Sequence, residues 1–226
     1  MSVRDVYHEE LDEINDQLVE MTRLVESAMS RASRSLLDAD LQLAEAVIAG
    51  DVHIDRLYVS MERRAFDLMA RQQPVAVDLR FLVTSLRIVA ELERMADLAV
   101  HIAKVARRRY PGSAVPGVLH STILGMGQAA VRIAAKAATV LATTDTALAA
   151  ELERDDDVMD ALQRELFAHI LGSVWTGSVE EAVDVTLCGR FYERFADHAV
   201  SVAQRVVYLA TGERPRAQRA QIVSRA

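Results

Sequence analysis

The chain has 226 residues, 51% of them hydrophobic, which is enough for a buried core and too apolar for a disordered segment. A formal net charge of −7 argues against a nucleic-acid binder, because phosphate contacts need a basic face. The one cysteine, Cys188, excludes an intramolecular disulfide and fits a reducing compartment. Residues 1–14 mix charges throughout, with no apolar core of signal-peptide type, and no run of 18 uncharged apolar residues occurs anywhere. A soluble, cytoplasmic protein without a transmembrane segment is expected.

Only 9 Gly and 4 Pro punctuate a chain rich in Ala, Leu, Arg and Glu, residues that lose little side-chain freedom in a helix. The first predicted helix covers residues 4–36 and ends before Asp38-Ala39-Asp40, which offers an N-cap to a second over 40–72. Gln73-Pro74 stops that helix, and a third runs over 76–109. Arg107-Arg108-Arg109 closes it, where positive charge complements the helix dipole. The stretch Pro111-Gly112 to Pro116-Gly117 is the clearest linker. Helices over 118–142, 145–172 and 178–211 follow, separated by the Thr144-Asp145 cap and by the break from Gly172 to Ser178, beside which Trp175 is placed across a bundle end. The Arg-rich stretch 213–226 reads as a disordered tail.

The two halves repeat one another. Residues 93–100, Glu-Arg-Met-Ala-Asp-Leu-Ala-Val, recur at 193–200 as Glu-Arg-Phe-Ala-Asp-His-Ala-Val. Asp51 and Asp55 recur as Asp156 and Asp160. The expected fold is therefore all-α, with two tandem three-helix bundles: residues 1–112 and 113–212.

Reading residues 40–72 at alternating three- and four-residue steps gives Ala44, Val47, Asp51, Ile54, Tyr58, Met61, Ala65 and Leu68, an apolar stripe with Asp51 inside it. Glu93, Asp156 and Glu193 fall in the corresponding stripes of the third, fifth and sixth helices. Each has a second acid four residues later (Asp55, Asp97, Asp160 and Asp197), on the same face about one turn along. In an antiparallel hairpin turning at residue 74, Asp55 is level with Glu93 and Asp51 with Asp97. In the second half both matching pairs centre between 176 and 177. Four carboxylates should thus converge in each repeat.

Such a cluster needs shared protons, paired arginines or a bound cation, since crowded carboxylates pay for both desolvation and mutual repulsion. Arg94 and Arg194 are partial partners in this reading. All-oxygen ligation suits hard cations and, in bridged clusters, iron or manganese, and a metal is the preferred reading. His101 and His198 are expected to lie outside the ligand set or in solvent. No histidine follows a Glu at the Glu-x-x-His spacing of di-iron bundles. Gly125-Met126-Gly127 lacks the lysine of a phosphate-binding loop, and Cys188 reads as a small core residue. No catalytic activity is expected.

These residues resemble the PhoU family of bacterial phosphate-uptake regulators. Its acid-xxx-Asp signature, twice in each of two three-helix repeats, is matched by Asp51/Asp55, Glu93/Asp97, Asp156/Asp160 and Glu193/Asp197. Residues 71–80, Arg-Gln-Gln-Pro-Val-Ala-Val-Asp-Leu-Arg, are similar to the family's inter-helix turn; the second repeat has Gly177-Ser178-Val179-Glu180 instead. The resemblance spans residues 5–212. It implies surface metal clusters, often of iron, with zinc, manganese or magnesium as alternatives. It also implies negative control of phosphate uptake and signalling, the ATPase of a phosphate ABC transporter and a sensor histidine kinase as partners, and a homodimer. The competing expectation is a helical scaffold for metal storage or trafficking.

Overall fold

The computed structural model describes residues 3–173 and 175–213, so the tail expected over 213–226 lies outside the described residues except for Glu213. Among the described residues six long helices follow one another: α1 (Val3–Asp38), α2 (Leu41–Gln72), α3 (Ala76–Arg109), α4 (His120–Thr143), α5 (Thr146–Leu171) and α6 (Val179–Thr211), with one 3₁₀ turn at Gly117–Leu119. None of the described helices is long and apolar enough to cross a membrane.

Local chemistry sets the boundaries. Ala39 and Thr144 adopt left-handed backbone, with φ of 51° and 55°, and each is followed by an aspartate that caps the next helix. Asp40 accepts from the Leu43 amide, and Asp145 accepts from those of Ala147 and Leu148. The α1–α2 and α4–α5 turns are thus one turn used twice. The other two hairpin turns differ: α2 ends on left-handed Gln73 ahead of Pro74, whereas α5 opens into an extended Gly172. At α6, Ser178 accepts from the Glu181 amide while the Glu181 carboxylate accepts from the Ser178 amide, a reciprocal pair.

The inner layer is made by α1, α3, α4 and α6, with α1 packed on α3 and α4, and α6 on α3 and α4. Helix α2 lies against α1 and α3, and α5 against α4 and α6. Burial follows this order: α3 buries 15 of its 34 residues, α2 6 of 32 and α5 4 of 26, so α2 and α5 are flanking helices. The buried side chains of both repeats form one continuous core. Small residues allow close approach in the middle: a Cβ on Gly127 of α4 would stand 2.9 Å from Ser33 Oγ of α1. Tyr192 of α6 donates to that same Ser33 oxygen at 3.0 Å. Cys188 is buried, as its sequence context implied, and Trp175 packs partly buried against the core.

Two polar clusters tie α3 to α6. Asp184, only 2% exposed, pairs with both Arg108 and Arg109, and Arg109 also reaches Glu180 at 2.9 Å. The basic end of α3 therefore serves as a set of ion-pair partners, and the helix dipole is a secondary influence. Midway along, Glu91 faces His198 Nδ1 at 2.7 Å and Arg205 at 2.5 Å. His198 thus lies between the repeats, partly buried against Glu91 of α3.

Candidate metal centre

The apolar stripes carry the four leading acids to the edge of the core. Along α2, Ala44, Val47, Ile54, Met61, Ala65 and Leu68 are buried, whereas Asp51 and Tyr58 are half-buried. Glu93, Asp156 and Glu193 are half-buried as well. A seven-residue pattern drifts by about 20° per heptad on a straight helix, so a stripe that begins in the core need not remain there. The second acids lie further out: Asp97 is half-buried, and Asp55, Asp160 and Asp197 are exposed.

Within each repeat the acids sense one another across the hairpin. Burial raises the Asp51 carboxyl above the usual carboxylate range, and Asp55 and Asp97 raise it further, against Lys104 and His101. Glu93 is raised by burial and then by Asp97, with Asp55 and Asp51 adding smaller effects. In the second repeat, burial and then Asp197, Asp160 and Glu193 push Asp156 up to about 6. Glu193 and Asp197 are also raised, each chiefly by burial.

Arginines answer part of this charge. Arg94 lies 3.6 Å from both Glu93 and Asp97. In the second repeat the close partner of Glu193 is Arg190, one turn earlier on α6, and not Arg194. Asp156 has no such partner among the described residues: its Oδ1 is buried without a hydrogen bond to any of them, a costly state for a carboxylate oxygen. A buried oxygen without a donor, amid carboxylates from two helices, is a donor set that fits a hard cation. As the side chains stand, no three His, Cys, Asp or Glu groups among the described residues close on one point. Ligation would require the exposed Asp55, Asp160 and Asp197 to turn inward, at a cost in side-chain entropy and in repulsion that a bound cation would offset.

Two histidines act on this set electrostatically, His101 on Asp51 and His198 on Asp197. His101 is exposed and stacks on Phe191, with centroids 5.1 Å apart. Sequence reading missed Glu91, Asp184 and Arg190. Glu91 corresponds to Phe191 in the other repeat, Asp184 to Thr84 and His198 to Leu98, so a search for recurrence passes over them. Their position in the inner helices, where charge must be paired, was the available signal.

Comparison with known proteins agrees with this architecture. The PhoU domain model matches twice, over residues 18–106 and 123–206. The phosphate-specific transport system accessory protein PhoU homolog 2 of Mycobacterium bovis is 46% identical over 213 residues, covering 94% of this chain and 100% of its own length. The crystal structure of PhoU from Pseudomonas aeruginosa superposes with a TM-score of 0.83 at 27% identity, covering 92% of this chain and 100% of that one. That of the phosphate transport system regulatory protein PhoU from Streptococcus pneumoniae gives 0.82 at 26%, covering 92% and 98%. With both three-helix repeats matched and a relative this similar along nearly its whole length, the chain belongs to the PhoU family.

Proposed function

We propose that this protein is a metal-binding accessory regulator of phosphate transport, acting at the cytoplasmic face through contacts with other proteins and not by catalysis. The observation that supports the metal-binding part is electrostatic proximity at the solvent-facing rim of the core: Asp55 and Asp97 act on Asp51 and Glu93 in one repeat, and Asp160, Glu193 and Asp197 act on Asp156 in the other. The transport role is supported by relatives named as accessory proteins of phosphate-specific transport. All eight groups offer hard oxygen donors, and among the ions these suit, iron is preferred on the family resemblance, with zinc, manganese or magnesium as alternatives. When bound, the cation supplies positive charge that offsets repulsion among the carboxylates. The residues themselves do the rest: paired acids on α2 and α3, or α5 and α6, hold each hairpin at a fixed spacing, and the exposed aspartates present a docking surface.

The partners proposed are the ATPase of a phosphate ABC transporter and a sensor histidine kinase, with the protein working as a homodimer and as a negative regulator. Deleting the gene in its native host and measuring phosphate uptake at high external phosphate tests this reading. Uptake is expected to stay high in the deletion strain, to fall when the natural chain is restored, and to remain high with Glu93→Ala/Glu193→Ala. Unchanged phosphate uptake together with altered cellular iron or manganese would instead favour metal storage or trafficking.

A further inference from the structure

The repeated turns give an exact register between the first two helices of each repeat. Left-handed Ala39 and Thr144, capping Asp40 and Asp145, and the acids Asp51 and Asp156 are all separated by 105 residues. The same register equates Arg31 with Lys136, Ala46 with Glu151 and Gly50 with Asp155. In the second repeat Lys136 crosses from α4 to two carboxylates of α5, its Nζ 2.6 Å from Asp155 and 3.3 Å from Glu151. The first repeat keeps the cation and lacks both acids. Arg31 pairs with no carboxylate among the described residues, and a Cβ added at Gly50 would meet nothing within 4 Å.

The space so left is a cleft of about 210 Å³ between α1, α2 and α3, below the ~300 Å³ at which drug-sized sites begin. Leu24, Val47 and Ile54 give it an apolar wall, and exposed Arg31, with Ser27 and His53, supplies polar groups. Asp51 also lines it. With α1 and α2 antiparallel about Ala39, Arg31 is level with Val47, about one helical turn from Asp51.

We infer that this cleft binds a small organic carboxylate, its charged group on Arg31 in the place that Glu151 and Asp155 occupy in the other repeat, and its short apolar arm against Leu24, Val47 and Ile54. A guanidinium takes a carboxylate through two parallel hydrogen bonds, and the wall rewards an apolar arm.

Titrating hexanoate into the full-length protein, in buffer containing a chelator, tests this by calorimetry. One saturable site per chain is expected, with hexanamide, acetate and inorganic phosphate each weaker by about tenfold or more because each lacks the charge or the arm. Arg31→Gln is expected to weaken hexanoate by about tenfold or more for the same reason. The double variant Ala46→Glu/Gly50→Asp, which gives Arg31 internal partners, should abolish binding while helix content is unchanged. It leaves Arg31 in place, so it decides the matter even if Arg31→Gln folds poorly. Absence of saturable binding, equal binding of hexanamide or phosphate, or hexanoate affinity unchanged in both variants would overturn the inference.

Discussion

A carboxyl group pushed up to about 6, as Asp156 is by burial and by Asp197, Asp160 and Glu193, changes charge within the range in which cells work. Because its value is raised from 3.8, the stability it contributes is present in full below about pH 4 and is lost as pH rises through about 6. The metal-free protein should therefore grow less stable across that window, and Asp156→Asn should flatten the decline by about 1 kcal/mol once solvent screening of a half-buried group is allowed for. Melting temperature measured in chelator from pH 4 to 7.5 checks this; parallel curves for the two proteins would contradict it. Glu91 behaves in the opposite way. Burial works to raise it, but hydrogen bonds from His198 and Arg205 outweigh burial and hold it below the usual carboxylate range.

At the scale of helices, the ion pairs between α3 and α6 fix how the repeats sit together. Asp184 is almost wholly buried against Arg108 and Arg109; Asp184→Ala removes both pairs but leaves Arg108 in solvent and Arg109 on Glu180, and should cost about 2 kcal/mol. Urea denaturation measures this directly, and a loss below about 0.5 kcal/mol would mean that the cluster behaves as a surface pair. These same contacts mark what sequence reading could not reach. The helix boundaries were legible because Asp40, Pro74, Asp145 and Ser178 act locally through their own caps and turns. The acid pairs were legible because they recur. Glu91, Asp184 and His198 differ between repeats and find partners 75 to 114 residues away, and no local period records such a partner. The depth of two acids was also misjudged: Asp51 and Asp156 lie at the rim of the seam, because the flanking helices α2 and α5 bury only a narrow face.

For the whole molecule, the shared core makes the two repeats interdependent. Helices α1 and α3 pack on α4 and α6, so separating the repeats exposes faces that are buried on both sides. Residues 1–112 and 113–212 are thus expected to unfold together, in one calorimetric transition whose van't Hoff and calorimetric enthalpies agree; two resolved transitions would contradict this. The central claim concerns the eight acids, Asp51, Asp55, Glu93, Asp97, Asp156, Asp160, Glu193 and Asp197. Inductively coupled plasma mass spectrometry on the purified, tag-free protein, beside Glu93→Ala/Glu193→Ala, tests it most directly. Stoichiometric iron, manganese or zinc in the natural protein, lost from the double variant with helix content kept, is the predicted result. A natural protein that stays metal-free after reconstitution, or a variant that retains the full load, would contradict it.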